Sequence, residues 1–228
     1  MKLTFDVLTQ QGTRIVETDI KQFIIAGWAG RDMHAIEHHI EELEALGVPR
    51  PSAVPLYYRV AANQLIQDEQ VQVIADGSSG EAEVLFFTHE GQTIVSLTSD
   101  HTDRQLETHS VALSKQLCVK PVGRTAWLFD DVKDHWDDLI LRSWVVENGT
   151  NVLYQEGPLA LLRLPEDLVQ GYCQSPALPE GFAMSCGTVG AIGGIRTAST
   201  VFMMELHDPK LGRSLTHRYE TERLPEIS

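Results

Sequence analysis

The sequence predicts a mainly β protein of the α+β class, a mixed or antiparallel β-roll with a few peripheral helices. Three observations predict it. Strand-like runs outnumber helical ones along the 228 residues. Glycine-containing turn pairs at Asp76-Gly77, Glu90-Gly91 and Asn148-Gly149 separate neighbouring apolar runs, as in hairpins. Helical periodicity is confined to three segments. Strands in the majority must bury their faces on one another, which leaves the helices at the periphery.

Taken in order, Leu3, Phe5, Val7 and Ile15 suggest a hairpin turning at Gln11-Gly12, a short N-terminal β extension over residues 1–22 of one domain spanning 1–228. Phe23 to Gly27 is an apolar run ended by glycine. From Gly30 to Gly47 the period becomes helical, with Met33, Ile36, Ile40 and Leu43 on one face and Arg31, Glu41, Glu42 and Glu44 at polar positions. Pro49, Pro51 and Pro55 lead into a strand over Leu56 to Val60. Further strands follow at Val71 to Ala75, Ala82 to Thr88 and Thr93 to Thr98, and a short helix over His109 to Leu117. Asn148-Gly149 joins Leu139 to Val146 with Asn151 to Gln155. Leu159 to Val169 reads as a helix that Pro165 interrupts or restarts. Phe182 to Cys186 and Val201 to Leu206 close the series as strands.

Composition narrows the function. The formal charge of −14 argues against binding nucleic acid or anionic membranes through a basic surface. With 43% hydrophobic and 22% charged residues and a mean hydropathy of −0.13, the chain has an ordinary globular composition. No apolar stretch approaches the roughly 18 residues of a membrane span, and the amino end lacks the apolar core of a signal peptide, so a cytoplasmic location is expected. Cys118, Cys173 and Cys186 are odd in number and widely spaced, which indicates neither a disulfide framework nor a zinc site.

The chemistry-bearing residues begin with Glu81 and Glu83. One residue apart in a strand, they project to the same face, and Asp100 at the end of the next apolar run would join them. Three converging carboxylates repel unless a cation or basic groups compensate, and an all-oxygen set suits Mg²⁺ or Mn²⁺ rather than Zn²⁺. An E-x-E pair on a solvated strand face is the competing reading of the two glutamates alone. The run from Gly187 to Gly194 has neither dinucleotide nor P-loop spacing and reads as a backbone-rich turn lining a pocket.

The order of motifs resembles the catalytic domain of the fumarylacetoacetate hydrolase superfamily, in a bacterial branch of it, from roughly Phe23 to Tyr219. The elements that carry the likeness are Ile25-Ala26-Gly27 before a histidine- and glutamate-rich helix, Pro55-Leu56-Tyr57-Tyr58-Arg59, Glu81-Ala82-Glu83, and Ser99 through Arg104. Lys115 with Pro121-Val122-Gly123 and Gly187-Thr188-Val189-Gly190 complete the set. Arg59 stands where that family has lysine, Ser99 where it often has asparagine, and its N-Y pair ahead of the histidine is missing. The resemblance implies a β-roll and a Mg²⁺- or Mn²⁺-dependent hydrolase or lyase of a small oxo or dioxo acid, working through a metal-stabilised enolate, as a homodimer. Glu81, Glu83 and Asp100 would hold the metal. Lys115 would act in catalysis, and Arg59, Arg104 and Thr188 would contact substrate. A non-catalytic small-molecule binder keeping the fold is the alternative.

The general base is open among three H-x-x-E pairs, His34 with Glu37, His38 with Glu41 and His39 with Glu42, each within reach at i, i+3. Spacing from Gly27 selects His34, and spacing back from Pro55 to Arg59 selects His39. His39 flanks the apolar face of the helix, which favours His39 and Glu42, with His38 as a further candidate. His101 and Asp103 either tune Asp100 or cap the strand end.

Overall fold

The computed structural model describes residues 1–9, 11–45, 50–197 and 199–227, apart from the side chains of residues 39, 42 and 43. Two sheets carry the architecture. The larger has eight strands in the order Gly12–Asp19, Lys2–Thr9, Thr125–Leu128, Gln92–Ser99, Ala82–His89, Phe182–Ser185, Gln22–Gly27 and Leu56–Val60. It is mixed: Lys2–Thr9 runs parallel to Thr125–Leu128, and Phe182–Ser185 parallel to Gln22–Gly27. The smaller has five, in the order Thr150–Pro158, Ile140–Glu147, Val201–Asp208, Arg213–Leu224 and Gln70–Ile74. Pairs of two-residue strands, Ser78–Ser79 with Thr102–Asp103 and Leu65–Ile66 with Lys120–Pro121, tie the connections down.

Strand alternation divides the core into two. Ile24, Ala26, Val84, Phe86, Val95, Leu97, Trp127 and Met184 face Leu141, Val145, Tyr154, Phe202, Met204, Leu206 and Tyr219 of the smaller sheet. Residues of the opposite parity, Phe23, Ile25, Leu85, Phe87, Ile94 and Ala183, face the other way and pack with Leu3, Phe5, Val7, Ile20, Val60 and Leu65. The central strand Ala82–His89 is therefore covered on both faces, which explains its near-continuous apolar run.

Two of the three expected hairpin turns follow their dipeptides; Asp76-Gly77 makes no hairpin, since Gln70–Ile74 pairs with Arg213–Leu224 rather than with Ala82–His89. Glu90-Gly91 and Asn148-Gly149 both have positive φ at each residue (51° and 74°; 50° and 77°), the twist that two-residue hairpins need. The first helix is Met33–Ala45, with the Asp32 carboxylate accepting from the backbone N–H groups of His34 and Ala35. The helix expected over His109 to Leu117 runs from Val111 to Leu117, starting late because Ser110 caps it, and a separate one-turn helix, Arg104–Glu107, capped by Asp103, precedes it. Pro165 opens the helix Pro165–Cys173 at its first turn, after a 3₁₀ turn at Leu159–Leu161. No helix among the described residues is long and apolar enough to cross a membrane.

Candidate functional site

Antiparallel register builds the site. Ala82 lies opposite Ser99 and Glu83 opposite Thr98, and one step beyond the ladder the Asp100 N–H donates to the Glu81 carbonyl at 2.9 Å. Even positions of Gln92–Ser99 and its extension thus share a face with odd positions of the Glu81 strand, and the three carboxylates converge. One oxygen from each lies within 4.8 Å of the others. Opposite ligands of an octahedral Mg²⁺ shell stand about 4.2 Å apart, twice the ~2.1 Å metal–oxygen distance, so small side-chain rotations suffice to close the set on one ion. Glu83 is 3% exposed and Asp100 1%. Three hard oxygen donors in this geometry fit Mg²⁺ or Mn²⁺.

Basic groups surround the triad. Lys115, on the helix Val111–Leu117, forms a short ion pair with Asp100 Oδ2, and the fully buried Lys120 lies 2.8 Å from Asp100 Oδ1 and donates to the His101 carbonyl. The Arg104 guanidinium reaches Glu81 Oε1 at 3.1 Å as an ion pair rather than an aligned hydrogen bond, and is fixed by Glu107 at 3.0 Å and the Ser79 hydroxyl at 2.7 Å. The three carboxylates respond differently to this setting. Burial pushes Glu83 up, Asp100 pushes it further, and Lys115 and the nearby Ser185 hydroxyl, which is not aligned as a hydrogen bond, offset only part, leaving it at about 8. Burial also opposes charge on Asp100, but Lys115 and Lys120 outweigh it and hold Asp100 well below the usual carboxylate range. For Lys115, burial disfavours the ammonium, yet Asp100, Glu81 and Glu83 together hold its pKa above the ordinary lysine value. Lys115 is therefore a permanent cation and donor. Glu83 is the carboxylate left without its own cation.

A prediction follows for the metal-free protein. Between its ordinary value and about 8, Glu83 keeps a proton in the folded state that the unfolded chain has lost, so stability falls as pH rises through that interval. His101 works in the opposite direction: burial depresses it to about 3, so it adds stability as pH rises toward 6.5 and nothing beyond. The window is therefore pH 6.5 to 8, where the urea unfolding free energy of the parent, taken relative to Glu83→Gln so that the opposing contribution of the burial-depressed Lys120 cancels, should decline by up to ~1.4 kcal/mol per pH unit. A flat or rising profile there would contradict the placement of Glu83.

The loop after Phe182–Ser185 closes one wall. The Gly187 N–H donates to Glu83 Oε2 at 3.2 Å, and Gly187 takes φ +86° while passing so close to Ala29 that a Cβ would lie 2.7 Å from the Ala29 Cβ. Thr188 donates to the Ala82 carbonyl at 2.7 Å. Gln155 on the smaller sheet binds these parts together. Its Oε1 accepts from the Ala82 N–H at 3.0 Å and the Ser143 hydroxyl at 2.7 Å, while its Nε2 donates to Thr188 Oγ1 and the Val189 carbonyl, both at 2.7 Å. Gln155→Ala would strand several buried polar groups and is expected to cost on the order of 2–3 kcal/mol in urea unfolding. A loss below ~0.5 kcal/mol would show that Gln155 is dispensable.

Beside Lys115 stands Tyr58, whose ring centroid lies 5.6 Å from the Lys115 ammonium. Trp28 has φ +58°, a left-handed conformation that costs a bulky residue on the order of 1–3 kcal/mol.

Of the residues expected from sequence, Glu81, Glu83, Asp100, Lys115, Arg104 and Thr188 are brought together. Arg59 is not. It shares the parity of Ile24 rather than Ile25, so it projects from the sheet face opposite Tyr58, is exposed, and donates to Gln22 at 2.6 Å and Tyr172 at 3.3 Å. His38 lies exposed on the helix Met33–Ala45, as does His34, and Glu37 pairs with Arg50. The side chains of His39 and Glu42 lie outside the described residues. His101 turns from Asp100 to the opposite face, with its ring nitrogens 2.8 Å from the Tyr219 hydroxyl and 2.9 Å from the Ser78 hydroxyl. Asp103 caps the helix Arg104–Glu107. Sequence reasoning missed Lys120, Tyr58, Trp28 and Gln155. A concavity of about 810 Å³ lies on the outer face of the smaller sheet around Trp144, Leu153 and Met203, and no triad residue lines it.

A family model described as "Protein of unknown function (DUF2848)" matches residues 26–219. No curated protein matches significantly. Among solved structures, a hexagonal crystal form of 2-keto-3-deoxyarabinonate dehydratase superposes with a TM-score of 0.65 at 14% identity, covering 96% of this chain and 80% of that one. The 2-keto-3-deoxy-D-arabinonate dehydratase complexed with magnesium and 2,5-dioxopentanoate gives 0.64 at 14%, covering 96% and 79%. Cg1458 with inhibitor gives 0.61 at 13%, covering 95% and 81%. Both proteins are members of the fumarylacetoacetate hydrolase superfamily, and this chain has that superfamily's fold.

Proposed function

The chain belongs to the family described as protein of unknown function (DUF2848), and from the geometry of its acidic cleft we propose that it is a divalent-metal-dependent hydrolase or lyase of a small oxo or dioxo acid. The observation that carries this reading is the convergence of Glu81, Glu83 and Asp100 within 4.8 Å, beside a buried ammonium. The magnesium and dioxo acid held by the structurally similar dehydratase support it. Glu81, Glu83 and Asp100 would hold Mg²⁺ or Mn²⁺, which when bound supplies Lewis-acid polarisation of a substrate oxo group.

The chain's own groups do the rest. Lys115, held protonated by Asp100, offers its remaining N–H bonds to a substrate carboxylate or to the oxyanion of an enolate. Arg104 keeps Glu81 in position and adds positive charge at that end of the cleft. Thr188 and the Gly187 amide form the backbone-rich wall against which the substrate lies. Proton transfer falls to His38 or to His39 with Glu42 on the helix Met33–Ala45. We place the protein in the cytoplasm as a homodimer.

The exposure of His34 and His38 favours a second reading, a non-catalytic binding protein that keeps the fold and the metal. One assay separates the two. Oxaloacetate, acylpyruvates and related oxo acids are incubated with the protein and Mg²⁺ or Mn²⁺, and substrate loss is followed. Metal-dependent turnover of one of them supports the enzyme. Metal-dependent binding without turnover supports the binder, and neither response rejects both.

A further inference from the structure

We propose that Lys120 sets which divalent ion the acidic site takes: by saturating one oxygen of Asp100 it leaves that aspartate a single oxygen for the ion, which suits Mg²⁺ or Mn²⁺ and disfavours Ca²⁺. The proposal rests on the metal reading of Glu81, Glu83 and Asp100 and deepens it by naming the residue that discriminates between ions.

Lys120 stands on the two-residue strand Lys120–Pro121, which pairs in parallel with Leu65–Ile66, and it is 0% exposed. Lysine is almost never fully buried unless paired, and Lys120 has two partners. Its ammonium lies 2.8 Å from Asp100 Oδ1 and donates to the His101 carbonyl, so it bridges the side chain of one residue and the backbone of the next. The same Asp100 Oδ1 accepts from the Thr102 hydroxyl at 3.4 Å. A carboxylate oxygen has two lone-pair positions, and on Oδ1 both are taken. Oδ2 is engaged by the Lys115 ammonium alone among the described residues, so one position remains there for an ion.

The number of ligand oxygens separates the ions. Mg²⁺ takes about six in an octahedron at about 2.1 Å, whereas Ca²⁺ takes roughly six to eight at about 2.3–2.6 Å and often draws both oxygens of one carboxylate. With Asp100 limited to Oδ2, and with Glu83 and Asp100 3% and 1% exposed, a larger ion finds neither the second carboxylate oxygen nor room for additional water. A buried orphan group marks the same place as a ligand site. Ser185 pairs with Leu85, on the sheet face that Glu83 shares, and its fully buried hydroxyl has no hydrogen-bond partner. Charge compensation alone does not distinguish the two lysines; what differs is the oxygen each one holds.

The test is calorimetric titration of the whole protein with Mg²⁺ and with Ca²⁺, in the parent, Lys120→Met and Lys115→Met. The parent is expected to bind Mg²⁺ at least about 10-fold more tightly than Ca²⁺, and Lys120→Met, which frees Oδ1, should shrink that ratio by about 10-fold. Lys115→Met removes the same charge from Oδ2, and should tighten both ions alike with the ratio kept. Equal affinity for the two ions in the parent, a parent-like ratio in Lys120→Met, or the same change of ratio in both variants overturns this proposal and leaves the metal site in place. Failure of the parent to bind either ion overturns the metal reading as well. Crystals of the parent soaked in Ca²⁺ serve if Lys120→Met does not fold: Asp100 should meet the ion through Oδ2 with Lys120 still on Oδ1, and an Asp100 that chelates through both oxygens overturns the proposal.

Discussion

Glu83→Gln is expected to abolish the Mg²⁺-dependent rise in melting temperature while making the metal-free protein more stable than the parent at pH 8. Both halves follow from one side chain. Glu83 is the member of the triad without a basic partner of its own; burial and Asp100 push its carboxyl up to about 8, so the empty site near neutrality carries a group that resists ionising. Glutamine keeps the shape and can still accept from the Gly187 N–H, removes the ionisation penalty, and forfeits a metal–oxygen bond. Groups that merely orient metal ligands cost 10–100-fold in affinity when lost, so a ligand itself should cost about 100-fold or more. Differential scanning fluorimetry with and without Mg²⁺ reads both effects. A variant that responds to Mg²⁺ as the parent does would show that the ion, if bound, sits elsewhere.

Asp100→Ala has the largest expected effect on stability. It leaves two buried ammonium groups, Lys115 and Lys120, without the carboxylate that both contact. Breaking a buried ion pair from one side typically costs about 3–5 kcal/mol, because the surviving charge remains desolvated. Here two survive, so the loss should fall at the upper end. Lys120, whose pKa burial already holds below the ordinary lysine value, is the one to lose its proton. Adding Lys120→Met to the aspartate variant should therefore recover part of the loss, since a flexible apolar side chain of similar length then fills the space. Urea unfolding measures both. A loss under about 1 kcal/mol for Asp100→Ala would mean that the lysines find other partners and that the aspartate is not the hub of the site.

The triad was legible because strand periodicity is simple. Residues at i and i+2 share a face, and the Glu90-Gly91 turn sets the register that carries Asp100 back beside Glu81. The same alternation, applied to Tyr57-Tyr58-Arg59, puts Tyr58 on the side of the triad and Arg59 on the other; the motif resemblance points Arg59 to the substrate and masks that parity. It also separates His101 from Asp100. Other elements were hidden for physical reasons. Arg213–Leu224 reads as polar because only Leu215 and Tyr219 along it are buried, while its other positions are exposed or half-buried. Thr125–Leu128 is too short to show a period. Lys120 before a proline looks like a solvated turn, and nothing local indicates that the chain buries its ammonium against Asp100 from below. Gln155 is one polar residue on a hairpin strand, and its role exists only once Ala82, Ser143 and Thr188 surround it.

The most direct test is a crystal soaked in Mn²⁺, which takes the same oxygen ligands as Mg²⁺ and scatters anomalously. A single strong anomalous peak is expected about 2.1 Å from carboxylate oxygens of Glu81, Glu83 and Asp100, lost in Glu83→Gln crystals. A peak elsewhere, or carboxylates still paired with Lys115 and Arg104 and no peak between them, would contradict it.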